Sequence, residues 1–281
     1  MPAGNMARCG MAGIARAIRC TPSSPRARHG WANPARLGPG APRARRTQAA
    51  RGGVMSSDSG GDVPGHYVTR LAIDAGDLEA VERLRYEVTV AEMGKKRVHA
   101  DAHARRLPDP LDAAADIIVV ADAAGELVGT IRSCGFGSGQ DWTAQDGWYT
   151  LREFAHLPRA LLGMCTHLAV QRAHRRFVVR DLLFQALYAV QLERGIRLCF
   201  TTSPPTLARM FERYGFREYA SPAQDAENGP VLRLVLALDD LDHLERIGSP
   251  FHALARARDV APAVRPWLDE LIRHWSRDPA G

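Results

Sequence analysis

Ten residues, "HRRFVVRDLL" (174–183), gather three arginines, a histidine and an aspartate without a glycine. Arg175, Arg176 and Arg180 lie within it, and Arg172 just precedes it. They stand where an apolar run, "LLGMCTHLAV" (161–170), hands over to a helical pattern. A phosphate chain held at such a handover is cradled by backbone N–H groups at a helix start, and glycines let the backbone come close. This stretch has no glycine. Set against a Q/R-x-x-G-x-G/A phosphate loop, its small-residue positions fall on Arg176, Val178 and Arg180, so a pyrophosphate would meet bulk. Arginine side chains can instead grip phosphate oxygens or carboxylates from outside the backbone. The bland alternative is a solvated basic face, at a helix end where arginines gain nothing from the dipole. A second cluster, "HADAH", puts His99 and His103 four residues apart. It reads as loop with no third ligand near, so solvated histidines and no metal are expected.

The elements that must position these groups are set by composition and pattern. The chain has 281 residues, 46% of them hydrophobic, enough for one ordinary domain with a small appendage. Its formal charge is +6, but residues 1–54 hold ten arginines and no acidic residue. Taking those ten from the 37 basic residues leaves 27 against 31 acidic ones, a net of −4. The main domain therefore lacks the charge for nucleic-acid binding. Residues 1–65 read as a disordered Arg/Ala/Pro-rich extension. They resemble an organelle transit peptide in charge but not in their Pro and Gly density. The preferred reading is an over-long reading frame with Met55 as the true start. No run reaches the ~18 apolar residues of a membrane span. The five cysteines form no C-x-x-C pair. Buried free thiols in a reducing cytoplasm fit them best.

Along the chain, "HYVTRLAI" (66–73) alternates as a strand, and Asp74 can cap the helix after it, which runs toward Gly94. Residues 95–114 read as loop. "ADIIVVADAAGELVGTIRSC" reads as a hairpin about "DAAGE". Residues 161–170 form a buried strand, "DLLFQALYAVQLERG" a helix, "IRLCFTT" a strand and "PTLARMFERYG" a helix; "FREYA" and "PVLRLVLAL" are strands. The remainder, 239–281, is expected to be a helical extension packed on the domain. Its segment "APAVRPWLDELIRHW" has an amphipathic pattern that suits capping the core. This order gives an α/β (α+β) class: a central mixed sheet with helices on both faces.

The order resembles the GCN5-related N-acyltransferase (GNAT) fold, and "FERYGF" is the turn that feeds its acyl-donor cleft. Residues 66–238 are thus expected to be a GNAT-like domain. More particularly, "RLRYEVTVAEMGKK", "DPLDAAADIIVVADAAGELVGTIR" and "ERGIRLCFTTSPPTLARMFERYGFREY" resemble long-chain N-acyl amino acid synthases, relatives of acyl-homoserine lactone synthases. The resemblance spans about 70–252. It implies transfer of a fatty acyl group from acyl carrier protein to an amino group. It matches the lactone synthases' helix arginine to Arg85, their D-x-x-D to Asp109 and Asp112, and their hairpin arginine to Arg132. Their E-x-x-R falls on Met164 and His167, and their helix aromatic and tryptophan on Thr89 and Lys95. The carboxylate proposed there as base is missing, so a lactone product is disfavoured.

Aminolysis of a thioester needs a neutral amine with a proton acceptor and donors for the oxyanion. Glu92, Asp109, Asp112 and His167 are the candidate bases. A backbone N–H near Leu168 or Ala169 is the candidate oxyanion donor. Arg85 and Arg132 either bind an amino acid carboxylate or pair with Asp109 and Asp112; Arg132 is also grouped with the catalytic residues, and Arg85 is expected to be structural. Thr201 is a candidate substrate contact, as is Tyr214, where some acyltransferases keep a general acid, although core packing is the preferred reading for Tyr214. Trp142 and Trp148 either line an acyl tunnel or staple a loop. Arg172, Arg175, Arg176 and Arg180 are expected to grip the phosphopantetheine of acyl carrier protein, with acyl-CoA the less favoured donor and no permanently bound cofactor. An amino acid or small amine is the expected acceptor. The competing readings are an acyl-CoA-dependent acetyltransferase of a small amine, a lactone-synthase-like enzyme, and an inactive domain that binds lipid or a partner.

Overall fold

The computed structural model describes residues 67–137, 139–175 and 177–257. The extension expected over 1–65 lies outside them, as do Arg176 and "APAVRPWLDELIRHW". Seven strands form: β1 (Val68–Leu71), β2 (Asp116–Ala121), β3 (Leu127–Gly135), β4 (Leu162–Val170), β5 (Leu198–Ser203), β6 (Arg217–Asp225) and β7 (Gly229–Ala237). They form one sheet in the order β1-β2-β3-β4-β5-β7-β6. Every pairing is antiparallel except β4 with β5. The β2–β3 hairpin turns where expected, with Asp122 Oδ1 accepting from the amides of Ala124 and Glu126.

Helices cover both faces, as the unbroken burial of β2 and β3 requires. On the front, α1 (Ala75–Tyr86) is capped by Asp74, whose Oδ1 accepts from Asp77 N at 2.9 Å. Its Val81 and Leu84 pack on Ile117, Val119 and Ala169. The helix does not run to Gly94 as one α-helix. It widens at Glu87–Glu92 into a π-helical segment, marked by Met93 N donating to Val88 O. On the back, α3 (Phe177–Glu193) and α4 (Ala208–Tyr214) bury Leu183, Phe184, Tyr188, Phe211 and Tyr214 against Ile118, Ile131, Cys165 and Leu234. Each such burial is worth ~1.5–3 kcal/mol. Gly129 is required at the β3–α3 contact: a Cβ there would lie 2.8 Å from Val179 Cγ1. Gly215 ends α4 at φ +105.

Between β3 and β4, a lobe carrying α2 (Thr143–Trp148) lays Phe136, Trp142, Tyr149 and Phe154 over Met164, Phe200 and Val235. After β7, α5 (Leu241–Arg246) and α6 (His252–Arg256) place Leu244, Phe251 and Ala255 in the back core. No helix among the described residues is long and apolar enough to cross a membrane. Cys134, Cys165 and Cys199 are free and buried.

Candidate active site

Two features of β4 open the sheet. First, β4 pairs with β5 over only three positions, Leu162–Met164 against Leu198–Phe200. Beyond them the strands diverge, and the sheet forks. Thr201, at the vertex, donates its hydroxyl to Cys165 O at 2.9 Å, so a side chain takes over where the ladder stops. Second, β4 carries one extra residue against β3. Thr130 faces Ala169 but Arg132 faces Thr166, a bulge at His167–Leu168. His167 adopts φ +54, uncommon for a residue with a side chain. Past the bulge, Gln171 N donates to Val128 O, so Gln171 and Ala169 bond toward β3 and Val170 bonds toward the fork. Arg175 Nε donates to Val170 O at 3.0 Å on that outer side.

The front of the fork holds a charge cluster. Pro110–Ala114 form a 3₁₀ turn whose N-cap is Asp109, with Oδ1 accepting from Leu111 N. That turn brings Asp109 and Asp112 over the sheet. Arg85, only 1% exposed, donates through Nη1 to Asp112 Oδ2 at 2.6 Å. Its Nε and Nη2 meet no acceptor among the described residues. Arg132, 3% exposed, reaches Asp109 Oδ1 at 2.7 Å, Asp112 Oδ1 at 3.1 Å and Thr166 Oγ1 at 2.9 Å. His167 Nε2 lies 2.8 Å from Asp109 Oδ2. Burial opposes charge on Asp109, yet the His167 hydrogen bond and the Arg132 cation outweigh it and hold its carboxyl well below the usual range. Burial also lowers His167, more than the Asp109 hydrogen bond raises it.

The structure thus brings together five expected residues, Arg85, Asp109, Asp112, Arg132 and His167. The two arginines are paired with the two aspartates, one of the alternatives left open by sequence. Glu92 lies apart, at the end of the π-helical segment, with both oxygens on Arg175, at 2.6 and 2.9 Å. Of the expected phosphate-gripping arginines, Arg175 is therefore spent on Glu92 and Val170. Arg180 lies inside the first turn of α3, where Nε donates to Tyr214 Oη at 3.1 Å. Arg172 is exposed and lines an open groove of 440 Å³ with Glu87, Val88, Ala91, Glu92 and Gln171. Arg176 lies outside the described residues. Tyr214 is fully buried, stacked on Phe184 at 4.1 Å, with its hydroxyl donated to Asp181. Burial, then Asp181, raise that hydroxyl's pKa. Trp142 is a staple, edge-on to Phe136 at 5.2 Å. His99 and His103 are exposed.

Sequence reasoning missed a strap between the segment after the π-helical turn and the β6–β7 turn. Lys95 Nζ and Arg97 Nη2 both donate to Asn228 Oδ1, at 2.8 and 3.0 Å. Val98 N donates to Glu227 Oε1 at 2.9 Å, and Arg97 pairs with Glu227. The strap joins the end of the π-helical segment to the β6–β7 turn, beyond the end of β5. Nothing in the sequence flagged it, because its two halves are about 130 residues apart.

An acetyltransferase (GNAT) domain family model matches residues 84–185. Among solved structures, FeeM, an N-acyl amino acid synthase from uncultured soil microbes, is 18% identical, with a TM-score of 0.50 over 69% of this chain and 99% of that chain. BjaI, a CoA-dependent acyl-homoserine lactone synthase, is 17% identical with a TM-score of 0.49, over 69% of this chain and 100% of that chain. A putative N-acetyltransferase from Lactobacillus plantarum is 18% identical with a TM-score of 0.46, over 61% and 97%. No curated protein matches the chain by sequence. The seven-stranded mixed sheet, forked between β4 and β5, is a GNAT-type α/β acyltransferase fold.

Proposed function

We propose that this chain is an N-acyltransferase. It moves a fatty acyl group from the thioester of a phosphopantetheine arm to the amino group of an amino acid or a related small amine. The observation that carries this reading is the β4–β5 fork, with a polar cluster on its front and a glycine-free basic turn behind β4. A pantetheine arm is a thin, extended chain that fits between two diverging strands. By alternation with Ala169, Leu168 N–H is the amide that turns toward the fork, so of the two expected oxyanion donors Leu168 is the better placed. The carbonyl oxygen would gain charge there as the amine attacks.

The donor is best read as acyl carrier protein. A CoA pyrophosphate needs close backbone approach, and bulky side chains occupy those positions. A carrier protein offers one phosphodiester and an acidic surface. With Arg175 and Arg180 bonded internally, that contact rests on Arg172 and Arg176. Likeness in fold to FeeM, an N-acyl amino acid synthase, supports an amino acid acceptor.

The test gives the purified full chain either an acyl carrier protein thioester or the matching acyl-CoA, with a mixture of amino acids, and weighs the products by mass spectrometry. N-acyl amino acids formed faster from the carrier protein are expected. Arg172→Glu should raise KM for the carrier protein several-fold and flatten its salt dependence, with little change toward acyl-CoA. Acetylated small amines formed only from acetyl-CoA, or no product from any donor, would overturn the reading.

A further inference from the structure

We infer that Nδ1 of His167 accepts the proton of the attacking amine, with Asp109 as the residue that fixes its ring. This rests on the proposed acyl transfer at the fork and names the group that the chemistry lacks by resemblance, since Met164 stands where related enzymes place a carboxylate.

Elimination comes first. Glu92 has both oxygens on Arg175. Asp112 has one oxygen on Arg85 and one on Arg132. Asp109 has Oδ1 on Arg132 and on Leu111 N, and Oδ2 on His167. Each oxygen of these three carboxylates already faces a cation or a donor. His167 differs. It is 26% exposed, the most open member of the cluster. Only Nε2 has a partner among the described residues. Asp109 is ionised and can only accept, so Nε2 carries the hydrogen and donates it. The lone pair of the neutral ring is then on Nδ1.

Among the described residues, the charged groups that act most on this ring are in the cluster: Asp109 at the head of the 3₁₀ turn, Arg132 on β3 and Arg85 on α1. The two cations and burial disfavour an imidazolium, and Asp109 favours it. The balance leaves the ring neutral at neutral pH, the state a base requires. The backbone adds a geometric reason. His167 holds a left-handed φ in the middle of a strand, and strain of this kind is kept where the surroundings enforce it. The bulge places this ring beside Leu168, so the proton acceptor and the proposed oxyanion donor belong to consecutive residues. In the step, the amine nitrogen bonds to the thioester carbon and the C–S bond breaks. The N–H proton passes to Nδ1, and from there to the departing sulfur, leaving an amide and a free thiol.

The experiment follows acyl transfer by the full chain from acyl carrier protein thioester to an amino acid across a pH series. His167→Asn removes the base while keeping a residue that tolerates the left-handed backbone. It should lower kcat by about 10²–10⁴-fold near neutral pH, with the donor's KM within a few-fold. Added imidazole should restore part of the rate. Asp109→Asn should lower kcat as well, because an amide can donate to Nε2 and move the ring hydrogen to Nδ1. Transfer by His167→Asn within threefold of the wild type across the pH series would overturn the inference alone. So would a lost rate that imidazole does not restore in a variant whose urea midpoint is unchanged. An absence of product from the wild type would overturn the proposed function, and this assignment with it.

Discussion

Removing the Asp112 carboxylate should destabilise this fold strongly, because of the partner it would leave behind. Asp112 is 10% exposed, but its partner Arg85 is 1% exposed, with Nη1 on Asp112 Oδ2 at 2.6 Å and no other acceptor for Nε or Nη2 among the described residues. Asp112→Ala therefore strands a buried guanidinium. Arg132 is affected less, because it keeps Asp109 at 2.7 Å and Thr166 at 2.9 Å. Breaking a buried pair from one side costs about 3–5 kcal/mol. With an m-value of ~2 kcal/mol/M in urea, the midpoint should fall by roughly 1.5–2.5 M. Arg85→Met in the Asp112→Ala background removes the stranded charge and keeps the volume, so most of the loss should return. The assay is equilibrium urea unfolding of the wild type, both single variants and the double variant, read as a double-mutant cycle. A loss below about 1 kcal/mol for Asp112→Ala would refute the reasoning. A double variant no more stable than Asp112→Ala would refute it too.

Two further outcomes follow from the packing and the charges. Gly129→Ala puts a Cβ 2.8 Å from Val179 Cγ1 and 3.1 Å from Leu183 Cδ1, so it should cost about 1–3 kcal/mol in the same assay, part of it recovered by Val179→Ala. Stability should fall steadily on acidification. His167 titrates below its ordinary 6.5 in the fold, so its share is complete above that pH and is lost as pH drops through the folded value. Asp109 is likewise held below its ordinary 3.8, and its share goes at lower pH still. A urea midpoint that rises on acidification from neutral pH, or an unchanged profile in His167→Asn, would contradict this.

The parts legible in sequence were those set by neighbours along the chain. The hairpin followed from the two β-rich runs about "DAAGE", the start of α1 from Asp74, and the end of α4 from Gly215. The start of α3 was misjudged at Asp181, whereas the helix begins at Phe177. The β-branched pair Val178–Val179 has little helix propensity, and the contact of Val179 with Gly129 decides the matter. That shift moves Arg180 out of the phosphate-binding turn and onto Tyr214. The π-helical segment was hidden because Val81, Leu84 and Val88 satisfy a helical face with or without it. The bulge was hidden because no glycine marks it; His167 takes the left-handed conformation itself. Asp109 and Asp112 were placed by family likeness alone, since residues 95–109 have no periodicity to read.

The bulge also settles a matter of counting. An unbroken strand deals its side chains alternately to two sides, so one face receives every second residue. Across His167 the count slips by one. Thr166 and His167, successive residues, both serve the front cluster, one on Arg132 and the other on Asp109. Leu168 then goes to the back core and Ala169 returns to the front. The same nine residues without that slip would turn the imidazole away from Asp109 and push Leu168 among the charges. Deleting His167 would restore an even ladder, with Leu168 still behind and Ala169 still in front, and would take only the imidazole from the cluster. The polar centre is written into the strand as a change of phase as much as a choice of side chains.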